Sequence, residues 1–113
     1  MSYDAIIVGG SYAGLSAGLQ LARARRRVLV VDAGVRRNRF ASHSHGFLGQ
    51  DGRAPDDIAA DGRAELMDYP NVTWQVGEAA VVQRDGDGFL VTLGDGEVLA
   101  ARRLILALSL IHI

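Results

Sequence analysis

The chain has 113 residues, of which 49% are hydrophobic, and this is enough for one modest domain with a packed core. Twelve basic side chains, all arginine, against thirteen acidic ones leave a formal net charge of −1. This balance disfavours binding to nucleic acid or to an anionic membrane. The absence of cysteine excludes disulfides, thiolate metal sites and thiol redox chemistry within these residues. No apolar run approaches the ~18 to 20 residues of a membrane span, and the sequence predicts a cytoplasmic protein.

The first part of the chain contains the most informative pattern. The apolar run Ala5–Val8 predicts a strand and leads directly into the glycine-rich segment Gly9–Gly14. A helical stretch follows, and a second apolar run, Val28–Val31, ends on Asp32. The order of strand, tight turn, helix, strand and acid is that of a dinucleotide-binding unit. Its glycine turn lets the backbone approach a pyrophosphate, and its terminal carboxylate accepts the ribose hydroxyls.

Single positions within this unit have physical reasons. Gly9 ends the strand where the chain must turn sharply, and a residue without a Cβ reaches the required backbone angles without strain. At Gly14, on the first helical turn, a side chain would hold the helix away from the strand, and Gly18, four residues later, is expected to extend that close-packing face along the helix. Asp32 follows Gly14 by eighteen residues, near the roughly 20 expected for the ribose acid. Ser11 stands where a strict fingerprint has glycine, and its small hydroxyl is able to donate to a phosphate oxygen.

The next elements alternate helix and strand. Residues 12–25 are expected to form the first crossover helix. Its predicted core-facing stripe contains Ala13, Ala17, Leu21 and Ala24, widened by Leu15 and Leu19. Residues 33–54 are rich in glycine and predict a long loop, of a kind that is usually functional. Pro55 opens a second helix that runs towards Tyr69, and Val72–Val76 alternates like a third strand.

The second half of the chain indicates the class of cofactor. Three short strand-like runs, Ala79–Gln83, Phe89–Leu93 and Glu97–Ala101, are separated by aspartate-glycine turns and predict an antiparallel meander. A meander in this place suits an FAD-binding domain better than an NAD-binding one. Arg103–Leu108 is apolar enough for a buried parallel strand that returns to the central sheet. The predicted fold is therefore α/β, a Rossmann-like FAD-binding domain with a parallel sheet, crossover helices and a three-stranded antiparallel meander, but incomplete.

Two parts of the sequence resemble a known family. Tyr3 to Ala17 resembles the opening of thioredoxin reductase-like flavoproteins, the FAD- and NAD(P)-dependent pyridine nucleotide-disulfide oxidoreductases. Arg37–Phe40 and His45–Gly49, with Asp51 and Gly52, resemble a subgroup that includes dithiol oxidases of natural-product pathways. The resemblance spans residues 3 to about 108. It implies an enzyme in which NAD(P)H reduces FAD, and the flavin exchanges electrons with a small thiol, disulfide or quinone-like acceptor; a homodimer is left open for the intact protein.

The resemblance also implies a set of cofactor-binding residues and no catalytic side chain. Those expected around the FAD pyrophosphate are Gly9, Ser11, Tyr12, Ala13 and Gly14. Asp32 is expected to hold the adenosine ribose. Further contacts are expected from Asn38 and Arg39 along the adenosine and phosphate side, from the backbone of Val81 at adenine, and from the His45 loop towards the isoalloxazine.

The family pattern ends near residue 107. Relatives continue with Ala-Thr-Gly where this chain has Ala107-Leu108-Ser109, so residues 108–113 are expected to be a non-native tail. Residues 1–107 are expected to form the N-terminal part of an FAD-binding domain, without the NAD(P)H-binding domain and inactive alone. Two alternatives stay open: a single-domain NAD(P)-binding module and an inert truncated fragment.

Metal binding is not predicted. His43 and His45 have a spacing that suits two ligands of one metal ion, but no further ligand is near in sequence. Asp85, Asp87 and Asp95 lie beside glycines and predict hairpin turns, because the twelve-residue calcium pattern with its closing glutamate is absent.

Overall fold

The computed structural model describes residues 2–33 and 55–107, with side chains of the second helix described from residue 60. The sequence-predicted contacts at Asn38, Arg39 and His45, the histidine pair at 43 and 45, and the segment 108–113 lie outside the described residues. The described elements, in chain order, are β1 (Ser2–Val8), α1 (Tyr12–Arg23), β2 (Val28–Asp32), α2 (Pro55–Met67), β3 (Val72–Val76), β4 (Ala79–Asp85), β5 (Gly88–Leu93) and β6 (Val98–Leu106).

All the described strands form one sheet in the order β3-β2-β1-β6-β5-β4. The pairs β3 with β2, β2 with β1, and β1 with β6 are parallel, whereas β6 with β5 and β5 with β4 are antiparallel. The turns between the antiparallel strands fall at the aspartate-glycine segments, where the Asp95 side chain accepts a hydrogen bond from Glu97 N. The predicted α/β architecture, a parallel sheet joined to a three-stranded meander, is confirmed.

The sequence analysis was wrong in dividing the last strand into two. Glu97–Ala101 and Arg103–Leu108 were expected as separate strands, but residues 98–106 form the single strand β6. Its first part pairs with β5 and its longer second part pairs with β1. No glycine or proline interrupts the chain here, so nothing requires a break. The strand is also less buried than expected, since Arg103 and Leu106 are exposed.

Two hydrophobic clusters lie on opposite faces of the sheet. On one face, Ile7, Val28 and Val30 pack with Leu15 and Leu66 from the helices. On the other face, residues that alternate with these in sequence pack with the meander; they are Ile6, Val8, Leu29 and Val31, against Val91, Leu93 and Leu99. Because successive side chains of a strand point to opposite faces, the continuous apolar runs of β1 and β2 are buried on both sides.

Helix α1 buries the predicted glycine face and Leu15, but not the rest of the predicted alanine and leucine stripe. Its buried residues are Gly14, Leu15, Gly18 and Ala22. Ala13 and Ala24 are exposed, and Ala17 and Leu21 are only half-buried. A Cβ on Gly18 would lie 3.1 Å from Leu66 Cδ2 and 3.4 Å from Ile7 Cδ1, so the helix makes its closest approach at this glycine. The close-packing face predicted at Gly14 and Gly18 is therefore confirmed, whereas the predicted stripe of alanine and leucine side chains is not the main buried face.

Helix α1 ends in a hydrogen-bonded cap at Arg25. This residue has φ 63, the left-handed region, and its N–H donates to the Ala22 carbonyl at 3.0 Å. Arg26 N donates to the Leu21 carbonyl, also at 3.0 Å. This pair of bonds is a Schellman motif, which satisfies carbonyls at the end of a helix. The side-chain amide of Asn71, the residue just before β3, donates to the carbonyls of Ala22 and Arg26. It therefore also caps the C-terminal end of α1.

Candidate nucleotide-binding site

The turn between β1 and α1 depends on two glycines that lie against each other. Gly9 has φ 112, which favours glycine, and its N–H donates to the Val31 carbonyl at 2.8 Å. A Cβ on Gly14 would lie 2.1 Å from the Gly9 carbonyl oxygen, well inside van der Waals contact. The start of the helix therefore closes tightly over the end of β1, and any side chain at position 14 would force them apart.

Ser11 caps the helix and fastens it to the end of the last strand. Its carbonyl accepts the hydrogen bond from Leu15 N at 2.9 Å, and its Oγ lies 3.5 Å from Gly14 N. The hydroxyl donates to the Ala107 carbonyl at 2.7 Å. Because a serine hydroxyl has one proton, the Ser11 hydroxyl would have to release the Ala107 carbonyl before it could donate to a phosphate, as the sequence predicts.

Tyr12 and Ala13 form the first turn of α1, at the positive end of the helix dipole. Both are exposed, Tyr12 by 49%. The N-terminus of a helix attracts anions because its first N–H groups have no acceptor within the helix and the peptide dipoles add. The first turn of α1 thus faces outwards as an anion-binding helix start requires.

The carboxylate of Asp32 lies at the mouth of the glycine turn. Asp32 ends β2, is half-buried, and accepts a hydrogen bond at Oδ1 from Gly10 N at 3.3 Å. Parallel pairing of β1 with β2 brings the carboxyl ends of both strands to the same edge of the sheet. This is the edge at which open α/β sheets bind their ligands. The structure brings together the predicted residues Gly9, Ser11, Gly14 and Asp32.

Gly10 and Trp74 are neighbours of Asp32 that the sequence analysis missed. A Cβ on Gly10 would lie 2.8 Å from Trp74 Cη2, 2.9 Å from Asp32 Cγ and 3.0 Å from Asp32 Oδ2. Trp74 stands on β3 in register with Val30 of β2. The guanidinium carbon of Arg63, on α2, lies 4.2 Å from the centroid of the Trp74 ring. The only sequence signal was the second of two consecutive glycines, because the contacts join three distant parts of the chain.

Val81 lies on β4 and its side chain is 47% exposed. It pairs with Thr92 beside an irregularity between Ala79 and Val81. The chain that leads into β4 is tied to the site, since Gly77 N donates to the Asp32 carbonyl at 2.9 Å. The contact of the Val81 backbone with adenine stays a prediction from the resemblance.

A second cleft, of about 520 Å³, opens at the other end of the sheet. Its lining includes Ser2, Arg84, Asp87 and Arg102. Ser2 begins β1 and the glycine turn follows its end, so the two sites are separated by a seven-residue strand, roughly 20 Å at ~3.3 Å per residue. This cleft is therefore no part of the glycine-turn site.

Two other kinds of site can be checked in the described part of the chain. Residues 2–33 and 55–107 hold no group of three or more histidine or acidic side chains that could bind a metal ion. Neither helix in these ranges has the length and apolar character that would allow it to cross a lipid bilayer.

The glycine turn fits the diphosphate of a dinucleotide. Gly10 and Gly14 have no room for a Cβ, which would meet neighbouring protein atoms at both positions, so the turn and the helix start pack closely around the end of β1. The exposed first turn of α1 supplies favourable electrostatics, and the Asp32 carboxylate supplies an acceptor for ribose hydroxyls. The site can bind and orient a cofactor, and the cofactor would provide the chemistry.

The chain belongs to the pyridine nucleotide-disulphide oxidoreductase family, whose sequence profile matches residues 3–108. It is 36% identical over 107 residues to the thioredoxin reductase tcpT of Claviceps purpurea, covering 92% of this chain and 33% of that relative. It is 37% identical over 108 residues to the thioredoxin reductase aclD of Aspergillus oryzae, covering 93% and 34%. The family predicted from the sequence is confirmed.

Solved structures show the same fold. An oxidoreductase from Agrobacterium tumefaciens superposes with a TM-score of 0.88 at 55% identity, over 94% of this chain and 36% of that one. A putative thioredoxin reductase, TrxB from Bacillus anthracis, superposes with a TM-score of 0.86 at 32% identity, over 92% of this chain and 35% of that one. The chain spans about a third of the length of the relatives it matches.

Proposed function

We propose that this chain forms the first part of an FAD-binding domain in an NAD(P)H-dependent oxidoreductase of the thioredoxin reductase type. One observation carries the proposal: the Asp32 carboxylate accepts the Gly10 N–H at 3.3 Å, directly beside a helix start that excludes a side chain at Gly14. An acid that could accept hydrogen bonds from a ribose therefore lies beside the glycine turn that would approach the diphosphate. The family match over residues 3–108 supports the same assignment.

The residues divide into two groups by what they would bind. The backbone from Gly9 to Gly14 would face the diphosphate, and Asp32 would accept hydrogen bonds from the adenosine ribose. The proposed contacts of Asn38, Arg39, His45 and Val81 with the rest of FAD are based on the family resemblance. FAD supplies the hydride and electron transfer chemistry when it is bound. The side chains of this chain would bind and orient it, and none is assigned a proton-transfer role.

The partners of the whole protein are also proposals. The electron donor is proposed to be NAD(P)H and the acceptor a small thiol or disulfide, since the curated relatives are named thioredoxin reductases. The 113 residues contain no cysteine, so electrons reaching a thiol partner would come from the flavin or from groups elsewhere in the protein. A cytoplasmic location and a homodimer stay predictions.

The single tryptophan of the chain provides a direct test of FAD binding. Trp74 is the only tryptophan in the sequence. Its ring and the Asp32 carboxylate both come within 3 Å of the position that a Cβ on Gly10 would take. Titration of the purified chain with FAD should quench its emission with a saturable curve, after correction with free tryptophan amide for light absorbed by the flavin.

Two other results would contradict the proposal. Saturable quenching by NADH without any by FAD would favour a single-domain NAD(P)-binding module. If neither nucleotide changes the corrected emission or the thermal stability, the chain is an inert fragment. FMN, which lacks the adenosine, is the matched control and should quench only weakly at the same concentration.

A further inference from the structure

We propose that Trp74 is a positioning residue that fixes the direction of the Asp32 carboxylate, and thereby makes the site prefer nucleotides with a 2′-hydroxyl. The inference rests on the proposed function, because it assigns a second residue to the sugar-binding part of the same site. Trp74 would act through Asp32 and need not touch the nucleotide.

The indole edge and the carboxylate both pack against buried Gly10, on the side where a Cβ would stand. Trp74 Cη2 and Asp32 Cγ both lie within 3 Å of the point that a Cβ on Gly10 would occupy. Oδ1 is held by the Gly10 N–H, and Oδ2 is 3.0 Å from that same point. The ring edge therefore fills the space into which the carboxylate would otherwise rotate. With the ring in place, the carboxylate keeps its hydrogen bond to Gly10.

The position of the ring is set from two sides. Pairing of β3 with β2 places Trp74 in register with Val30, two residues before Asp32 on the same face. From above, the Arg63 guanidinium covers the ring at 4.2 Å, in a cation–π contact. Arg63 itself is exposed on α2, so it can be changed without opening the core.

The indole N–H gives a reason to expect a role beyond filling space. Trp74 Nε1 is buried and has no hydrogen-bond partner among the described residues. A buried donor without an acceptor costs stability, and such groups call for an explanation. Phenylalanine would avoid this cost while filling much of the same volume. What phenylalanine lacks is the outer edge of the indole, which is the part that reaches Gly10 and Asp32.

The test compares ADP with 2′-deoxy-ADP by calorimetry on the full chain. Wild type should bind ADP about tenfold more tightly, because a hydrogen bond from a hydroxyl to a carboxylate is lost with the deoxy sugar. Trp74→Phe should lower this ratio to about twofold or less. Arg63→Ala removes the cation–π contact but leaves the indole intact. Its ratio of ADP affinity to 2′-deoxy-ADP affinity should therefore be intermediate.

Arg84→Ala is the matched control. It removes another arginine that covers an aromatic ring, at 5.1 Å from the Phe89 centroid on the β4–β5 hairpin, and should keep the wild-type ratio. A general loss of stability would weaken the binding of both nucleotides equally and leave the ratio of their affinities unchanged. The ratio therefore separates an effect on carboxylate position from an effect on folding.

Each outcome has a distinct meaning. Folded Trp74→Phe with the wild-type ratio would overturn the inference and leave the proposed function standing. If Trp74→Phe does not fold, Arg63→Ala decides, and an unchanged ratio in that variant counts against the inference. A wild-type chain that binds neither nucleotide would overturn both the proposed function and the role of Trp74.

Discussion

Asp32 is the residue on which nucleotide binding is expected to depend most. Asp32→Asn keeps the size of the side chain but removes its charge, and hydrogen bonds to charged groups contribute about 1.5 to 3 kcal/mol. We expect the affinity for FAD to fall roughly tenfold or more, as measured by calorimetry.

The matched control for this change is Asp87→Asn. Asp87 is an exposed acid beside the β4–β5 turn, at the end of the sheet away from Gly9. It should leave FAD affinity within about twofold of wild type, since surface substitutions away from a site usually have small effects. Equal affinities in wild type and Asp32→Asn would show that the carboxylate does not hold the sugar.

At the level of single residues, the sequence predicted those parts of the site that follow from local spacing. Gly9, Gly14 and Asp32 belong to one strand-turn-helix-strand unit, so their order and separation in sequence are sufficient to predict that they come together. Gly10 and Trp74 meet only because β3 pairs with β2 and the chain folds over itself. The hydrogen bond from Ser11 to Ala107 joins residues 96 positions apart and is equally invisible in the sequence.

The cap of helix α1 offers a test at the level of one element. Arg25 adopts φ 63, a region in which residues other than glycine are strained by roughly 1 to 2 kcal/mol. Arg25→Gly should raise the free energy of unfolding by about 0.5 to 1 kcal/mol, after the greater entropy of glycine in the unfolded chain is subtracted. Urea denaturation gives this value.

Arg23→Gly is the control for the same helix end. Arg23 is the last helical residue, is exposed, and carries the same charge. Glycine there should lower stability by up to about 1 kcal/mol, because it lacks helix propensity. The two substitutions thus have opposite predicted signs, and a loss of stability in both would refute the capping argument.

Element boundaries were predicted well where turn residues mark them. The predicted bounds of β3, Val72–Val76, match the structure at both ends. The β4–β5 and β5–β6 turns fall at the predicted aspartate-glycine segments. The bounds of the last strand were predicted wrongly, because the change from antiparallel to parallel pairing within β6 leaves no mark in the amino-acid composition. A strand with different neighbours at its two ends looks, in sequence, like two strands.

For the whole molecule, ligand binding should raise thermal stability if the described site is competent. A ligand at 100 times its Kd adds about 2.7 kcal/mol to the free energy of unfolding. For a domain of this size each kcal/mol raises Tm by roughly 4 to 8 °C, so saturating FAD should raise Tm by about 10 °C or more. Differential scanning calorimetry measures the shift.

FMN at the same concentration is the control for this experiment. It carries the flavin ring but not the adenosine that Asp32 would hold, and a smaller shift is expected. Equal shifts with FMN and FAD would mean that binding does not use the adenosine part of the site. A broad melt without a cooperative transition would show that the chain does not form a two-state domain.

The overall architecture was predictable because it depends on the order of a few elements. A strand-helix-strand unit, a second helix and strand, and then hairpin turns indicate a parallel sheet joined to a meander. The position of a single strand β6 between β1 and β5, paired with both, was not predicted. The packing of Val91 and Leu93 of the meander with Val8 and Val31 is not specified by the sequence pattern.

The central place of β1 has a consequence for synthesis on the ribosome. Among the described strands β1 is synthesised before the others, yet one of its two neighbours, β6, is completed only when residue 106 has been added. Until then the nascent chain presents an apolar strand with one edge open, a state that is prone to wrong association. Translation speed and early chaperone contact should therefore affect the yield of this protein more than that of a chain whose central strands are neighbours in sequence.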